Sequence, residues 1–304
     1  MNFDNVIGND NIKELLCNSI ELNNFVHSYM FVGPDGIGKS MFAKDFAKML
    51  LCMSEQRACN NCSSCIKFNS NNHPDFVIIN SDDGKSIKIN QIRIMQEQIA
   101  EKPIISNRKV YIINDSDLMT VEAQNCLLKT LEEPPEYAVI ILVLSNENKL
   151  LNTIKSRCTK IVFHKLNNEQ LLQYAKQNNI SVNNDLLDTC DGSISNLLQL
   201  QLNVDLYSSL DLIINDFRSK DIVDIWNEAD VLYSSKDNIY ALLEYMNNVF
   251  FNKLRITNDE KYINSIKIVE NTKKRLLSNA NFDMCIDNLL LKIWEEFNES
   301  NNRG

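Results

Sequence analysis

One stretch of the sequence has the residue types and spacing of a loop that binds phosphate groups. Residues 33–40 read GPDGIGKS and fit the pattern G-x-x-x-x-G-K-[ST], between an apolar run and a helix-like segment. Glycines let the backbone N–H groups point at phosphate oxygens, the lysine reaches the β- and γ-phosphates, and the serine ligates Mg²⁺. The pattern predicts binding of ATP or ADP with Mg²⁺ through Gly33, Gly36, Gly38, Lys39 and Ser40. The alternative is a glycine-rich turn that binds nothing.

The second element of such a site is an acidic strand end, and here the expected acids are altered. The apolar run 110–113 is followed by Asn114 and Asp115. An asparagine removes one formal charge near the metal, and an aspartate reaches about 1.5 Å less far than a glutamate. Either change weakens the positioning and charge stabilisation that phosphoryl transfer needs, unless both residues simply end a strand. Ser145, directly after the run 139–144, completes the predicted nucleotide contacts.

Four closely spaced cysteines follow the phosphate-loop helix: Cys52, Cys59, Cys62 and Cys65. Four thiolates complete the tetrahedral shell of Zn²⁺ and leave no open position, which indicates a structural zinc site. An iron–sulfur cluster is one alternative, but the related ferredoxin-type spacing places its fourth cysteine downstream, whereas Cys52 lies upstream. Reduced cysteines on a helix are the other alternative, and the polar surroundings of the last three argue against it.

Short apolar runs in the first half predict a parallel β-sheet covered by helices, because continuous apolar runs suit strands buried on both faces. The runs are 28–32, 76–79, 110–113, 139–144 and 160–163. Before the fourth run, Thr120 is suited to cap a helix and Pro134 ends the helical pattern. The expected fold class of this half is α/β.

The second half predicts helices alone, since neither glycine nor proline occurs between Gly192 and Gly304. The composition becomes polar near Leu166, and a further boundary is expected at about 203–208. We therefore expect a phosphate-loop domain with the zinc module at 1–165, a small helical domain at 166–204, and a helical block at 205–304.

The composition excludes several classes of protein. With 31 Lys and Arg against 40 Asp and Glu, the net charge of −9 excludes a general polyanion binder with a broad basic face. The first ten residues lack the basic start and apolar stretch of a secretory signal. The longest apolar run, Ala138–Leu144, is far shorter than the ~20 residues that span a bilayer. We expect a cytoplasmic protein that makes no membrane contact.

Several sequence strings, in one order along residues 1–200, resemble the bacterial clamp-loader ATPase subunits of DNA polymerase III, which belong to the AAA+ class. Besides the phosphate loop and the four cysteines, they are 3–8, 27–29, 71–75, 86–93, 125–135 and 156–158. The resemblance implies that 166–204 is a lid and 205–304 a collar that joins a hetero-pentamer with gamma/tau and delta subunits. Such assemblies open a ring-shaped sliding clamp and place it on primed DNA.

The resemblance also assigns a role to Arg157. In the family, the arginine of the Ser-Arg-Cys motif, here at 156–158, is offered to ATP bound by the neighbouring subunit. A guanidinium donated in trans neutralises the charge that builds up on the transferred phosphoryl group. The alternative is an arginine on a strand-edge loop that pairs with a local carboxylate.

Two departures from the family pattern favour its delta-prime branch. The motor subunits, gamma and tau, resemble this chain but carry Asp-Glu where Asn114 and Asp115 stand. They also have an arginine in a Gly-Ser-x-Arg step that here reads Gly-Ser-Ile-Ser at 192–195. The expected protein is a stator that donates Arg157 and hydrolyses little ATP by itself. The alternatives are an active motor ATPase subunit and a nucleotide-independent zinc scaffold.

Overall fold

The computed structural model describes residues 3, 6–82, 84–180, 182 and 184–298, and the chain forms two compact units, 1–174 and 175–304. Asp4 and Asn5, which belong to the N-terminal string of the resemblance, lie outside the described residues. The predicted boundaries at 165/166 and 204/205 remain predictions, and the boundary between the two units falls inside one helix, Asn168–Gln177.

A parallel sheet of five strands forms the centre of the first unit. The strands are β1 (Ser28–Val32), β2 (Phe76–Ile79), β3 (Lys109–Ile113), β4 (Ala138–Leu144) and β5 (Thr159–Val162). Their order is β2-β3-β4-β1-β5, so that the three fully buried strands are central and β2 and β5 form the edges. The predicted α/β class and all five strands are confirmed.

Three strands differ from the prediction by one residue. Lys109 pairs with Ala138, which starts both β3 and β4 one residue earlier than the apolar runs do. The Lys109 side chain is buried and its ammonium donates to the Gln98 carbonyl at 2.7 Å. Strand β5 is shifted by one residue because Thr159 is in register with Tyr29. The strand boundaries are set by backbone hydrogen bonds between strands, and the pattern of apolar residues in the sequence contains no information about these bonds.

Helices cover both faces of the sheet. They are α1 (Asp10–Glu21), α2 (Lys39–Leu51), α3 (Ser63–Asn69), α4 (Ile89–Ala100), α5 (Val121–Glu132) and α6 (Asn152–Lys155). The next helix along the chain, α7 (Asn168–Gln177), contains the boundary between the two units. Buried side chains of α1 and α2 share one apolar cluster with alternate residues of the central strands. Those of α4 and α5 share a second cluster with the intervening residues. Opposite faces of one sheet thus anchor two helical layers.

The predicted helix start at Thr120 is confirmed. The Thr120 hydroxyl accepts a hydrogen bond from the Ala123 N–H at 3.3 Å and satisfies one of the unpaired donors of the first turn. The helix, α5, ends at Glu132, before Pro134.

Described residues of the second unit form helices and turns. The helices are α8 (Asn184–Thr189), α9 (Ile194–Leu202), α10 (Val204–Asp216), α11 (Ile222–Glu228), α12 (Asp230–Ser234), α13 (Ile239–Thr257), α14 (Glu260–Leu277) and α15 (Phe282–Asn298). The three longest, α13, α14 and α15, pack in sequence, which confirms the predicted helical character. Within the part of the chain that the structure describes, no helix has both the length and the apolar character needed to cross a membrane.

A buried carboxylate fixes the loop that precedes β3. Asp75 is 1% exposed, and its two oxygens accept hydrogen bonds from the backbone N–H groups of Ile104, Ile105 and Ser106 at 2.7–2.8 Å. Such charge-assisted bonds are roughly twice as strong as neutral ones. The residue therefore sets the path by which the chain enters the sheet.

Substituting Asp75→Asn should lower the free energy of unfolding by roughly 2–3 kcal/mol, because an amide cannot accept all three bonds and leaves a buried donor unpaired. Urea denaturation of the full chain measures the change. The exposed Asp10→Asn is the control, and its effect should stay within about 0.5 kcal/mol. Equal effects of the two substitutions would contradict this account.

Candidate functional site

The phosphate-loop string lies where its predicted role requires, between the carboxyl end of β1 and the start of α2. Gly33 is needed for space, since a Cβ atom there would lie 2.7 Å from the Phe163 carbonyl oxygen and 2.9 Å from its Cβ. Gly38 is needed for backbone conformation, since its φ of 94° caps α2 in the left-handed region. The loop thus turns from strand to helix as a polyphosphate cradle requires.

The Lys39 side chain is held inside this loop. It is 6% exposed, and its ammonium donates to the carbonyl oxygens of Gly33 and Pro34 at 2.7 and 2.6 Å. Burial lowers the pKa of Lys39, and the nearby carboxylates of Asp35 and Asp115 oppose that shift. The structure therefore places a buried cation at the centre of the candidate phosphate site.

Ser40 contacts the strand end that the sequence analysis paired with it. Its hydroxyl donates to the Asn114 amide oxygen at 2.9 Å, and the Asn114 amide nitrogen donates to the side-chain oxygen of Asn80 at 2.9 Å. Asn80 follows β2, and Asn114 follows β3. Two neutral amides therefore occupy the place where an acid was expected, and Asn80 was not predicted.

Asp115 lies beside this pair but is turned away from the β3 direction by its left-handed backbone, with φ of 47°. Partial desolvation, together with the charges of Asp35 and Asp117, raises the pKa of Asp115, while Lys39 lowers it. The carboxylate of Asp117 lies 3.7 Å from the Lys149 ammonium. Asp35, Asp115 and Asp117 therefore lie near Lys39. The Ser40 hydroxyl, in contrast, bonds to the amide of Asn114 and to none of these acids.

Ser145 follows β4, the neighbour of β1 in the sheet. The Gly33 N–H donates to the Leu144 carbonyl at 3.3 Å. Ser145, the next residue, therefore lies beside the phosphate loop. Ser145 is half-buried. The predicted nucleotide residues thus converge on one edge of the sheet, although their contacts with a nucleotide stay a prediction.

The four cysteines also converge, because their sulfur atoms all lie within 4.8 Å of one another. Cys52 Sγ lies 3.7 Å from Cys59 Sγ and 3.9 Å from Cys62 Sγ. Tetrahedral zinc–sulfur bonds of about 2.3 Å would place the sulfurs about 3.8 Å apart. The four thiols therefore fit a tetrahedral metal ion.

Backbone geometry stabilises the thiolate form at this centre. The N–H of Cys62 donates to Cys59 Sγ, and the N–H of Cys65 donates to Cys62 Sγ, each at 3.4 Å. Hydrogen bonds from the backbone of Asn61 and Cys62 lower the pKa of Cys59 to about 6. Burial raises the pKa of Cys65, so a metal ion would have to displace its proton.

A buried polar network that the sequence analysis missed joins this module to the sheet. The hydroxyls of Ser64 and Ser106 both donate to the Leu51 carbonyl at 2.8 Å, and both lie within 3.2 Å of His73 Nε2. His73 Nδ1 accepts from the Asp75 N–H at 3.1 Å, so the ring proton lies on Nε2. The signal available in sequence was the His-Pro-Asp step at 73–75, which was used only as part of a resemblance.

Arg157 lies in the turn between α6 and β5, and its guanidinium forms an ion pair with Glu132 at 2.6 Å. A second nitrogen donates to the Thr153 carbonyl at 2.8 Å. The local pairing considered as an alternative is therefore present. Its position in the fold matters more. Arg157 lies just before the amino end of β5, whereas Gly33 lies just after the carboxyl end of β1, and the two strands are parallel neighbours. That separation is roughly 15–20 Å along the strands, so the side chain cannot reach its own phosphate loop.

With this geometry established, a family model described as DNA polymerase III, delta subunit, matches residues 8–167, more than half of the chain. The chain belongs to this family. Within unit 1–174, the match spans the phosphate loop, the four cysteines and Arg157.

Relatives of this family member carry two different subunit names. A DNA polymerase III subunit gamma/tau of Mycoplasma genitalium is 28% identical over 97% of this chain and 54% of its own length. A DNA polymerase III subunit delta' of Bacillus subtilis is 39% identical over 51% of this chain and 47% of its own length. The chain therefore spans about half the length of each relative.

A solved structure shows the same fold. It is a DNA polymerase III gamma subunit-related protein of Thermotoga maritima, with a TM-score of 0.54 and 18% identity, and the match covers 93% of this chain and 99% of that one.

The environment of His73 predicts a pH dependence. Burial lowers the pKa of His73 below its ordinary 6.5, so the folded chain binds fewer protons here than the unfolded chain. The contribution of this group to stability is full above pH 6.5 and is lost as the pH falls below it. Titration of the His73 ring by NMR, assigned with His73→Gln, should give a midpoint below 6.5, and a midpoint above it would refute the burial argument.

Proposed function

We propose that this family member is a delta-prime-type subunit of a bacterial clamp loader. In this proposal it assembles with gamma/tau and delta subunits into a hetero-pentamer that places a sliding clamp on primed DNA. It donates Arg157 to ATP bound by an adjoining subunit, while its own phosphate loop holds nucleotide and hydrolyses it poorly. Its lid is residues 166–204 and its collar 205–304.

The observation that carries this proposal is the position of Arg157 at the amino edge of the sheet, opposite its own phosphate loop. An arginine there cannot reach its own phosphate loop, so any nucleotide that it serves would be held by another chain. The ion pair with Glu132 is compatible with that role, because a half-exposed pair is worth about 0–1 kcal/mol and a phosphate can displace the carboxylate.

The same proposal accounts for the chain's own nucleotide site. Asn114 is neutral, and Asp115 is short and turned by its left-handed backbone. Neither supplies the charge placement that activates water for attack on a phosphoryl group. These residues favour a stator over a motor subunit, although relatives of both names match the chain.

We also propose that Cys52, Cys59, Cys62 and Cys65 hold one structural zinc ion. The sulfur separations and the N–H groups that donate to the thiols support it. Four thiolate ligands would leave no position for substrate, so the metal would stabilise the segment 52–65 without taking part in chemistry.

The Arg157 proposal is tested with a purified gamma/tau subunit, delta, the clamp and primed DNA, by measuring ATP turnover with and without this chain. The isolated chain should show little hydrolysis, and assembly should stimulate turnover. Arg157→Ala should lower turnover at the one site it serves by about 10³-fold or more, so that total turnover falls to that of the remaining sites.

Lys155→Ala is the matched control, because it removes a nearby cation and should leave turnover unchanged. Native mass spectrometry checks that both variants assemble. An Arg157→Ala complex that assembles and hydrolyses ATP at the normal rate would refute the proposed role of Arg157. Brisk hydrolysis by the isolated chain would instead support the motor subunit.

The zinc proposal predicts one zinc ion per chain by elemental analysis. Cys52→Ser should lose that ion and lower the thermal midpoint, because the module would lose its internal constraint. Cys126→Ser, at a half-buried cysteine outside the cluster, should keep the ion. A Cys52→Ser chain with unchanged zinc content, or a wild type free of zinc after preparation in zinc-containing medium, would contradict the assignment.

A further inference from the structure

The magnesium ion that usually accompanies a phosphate loop does not fit the residues at this one. Magnesium in such sites is held through one or two carboxylates together with substrate phosphates, in a strict octahedral shell. Here the Ser40 hydroxyl, which would be a magnesium ligand, is hydrogen-bonded to the amide of Asn114. That amide is bonded in turn to the amide of Asn80. The side chains bonded to Ser40, directly or through Asn114, are therefore neutral amides that carry no formal charge.

Among the described residues, no acid near the loop is hydrogen-bonded to Ser40. Asp117 faces Lys149 at 3.7 Å, and Asp35, which is largely exposed, faces Lys39 at 3.7 Å. Asp115 follows Asn114, but its left-handed backbone starts the short helical turn Ser116–Leu118. The residue after β3 that bonds to Ser40 is the amide Asn114, and the next acid, Asp115, lies one residue further along the chain.

The remaining phosphate contacts need no metal. Lys39 supplies a buried positive charge, and the loop 33–38 supplies backbone N–H groups at the start of α2. A polyphosphate that enters the loop would exchange the two carbonyl contacts of Lys39 for phosphate oxygens. None of these contacts passes through a metal ion.

We propose that this phosphate loop binds adenosine di- and triphosphate without requiring magnesium, and that Asn114 is the residue that removes the requirement. The inference rests on the proposed nucleotide binding by this chain and is independent of the role of Arg157. The consequence is a site that retains nucleotide under conditions in which metal-dependent sites release it. Asn114 acts as a determinant of metal dependence.

Asn114→Asp is the decisive substitution, because it restores the charge with almost no change of shape. The new carboxylate could still accept the Ser40 hydroxyl. The Asn80 amide could rotate to present its nitrogen, since its oxygen and nitrogen ends are nearly the same size. Asn72→Asp is the matched control, because it adds the same charge at an exposed site after α3.

Calorimetric titration of the full chain with ADP and with ATP, in excess MgCl₂ or in EDTA, measures the effect. For the wild type and Asn72→Asp, the dissociation constants in the two buffers should agree within about threefold, or about 0.7 kcal/mol. For Asn114→Asp, affinity in magnesium should exceed affinity in EDTA by about tenfold or more.

A wild-type affinity that falls about tenfold or more in EDTA would overturn the proposal, and so would the absence of binding in both buffers. If Asn114→Asp does not fold by circular dichroism, the wild-type comparison alone decides. Loss of nucleotide binding here would leave the Arg157 turnover experiment intact, because that readout comes from the neighbouring subunit. The failure of one proposal is therefore distinguishable from the failure of the other.

Discussion

Parallel pairing of five strands is the constraint on which the rest of the first unit depends. It sends every strand's carboxyl end to one edge of the sheet, and the order β2-β3-β4-β1-β5 makes the ends of β1, β3 and β4 neighbours there. The phosphate loop, Asn114 and Ser145 come together for that reason alone. The same pairing places Arg157, which precedes an edge strand, at the other side. Parallel pairing therefore separates the phosphate loop, at the carboxyl ends of the strands, from Arg157, at their amino ends.

Much of this arrangement can be predicted from sequence, because it follows from local patterns. Continuous apolar runs located all five strands, the glycine spacing located the turn from β1 to α2, and Thr120 located the start of α5. The cysteine spacing predicted a cluster whose sulfurs do converge. In each case the signal is contained within a few neighbouring residues, and the parallel sheet then assembles the parts.

What the sequence could not provide is the identity of partners that are distant along the chain. The residues next to Arg157 in the sequence do not identify its partner Glu132, which lies at the end of α5. Nothing local to Ser40 identifies Asn80 as the far end of its amide pair. The network of His73, Ser64 and Ser106 around the Leu51 carbonyl likewise needs three segments to meet. The left-handed backbone at Asp115 is also invisible to composition.

The contact between Arg157 and Glu132 has a consequence for the isolated chain. A bare guanidinium at a half-exposed position would attract free phosphates and nucleic acid from solution, because arginine is well suited to both. The ion pair with Glu132 neutralises that cation within the chain. If Arg157 serves a neighbouring subunit as proposed, docking would be an anion exchange, in which a phosphate replaces the Glu132 carboxylate and the number of paired charges is conserved.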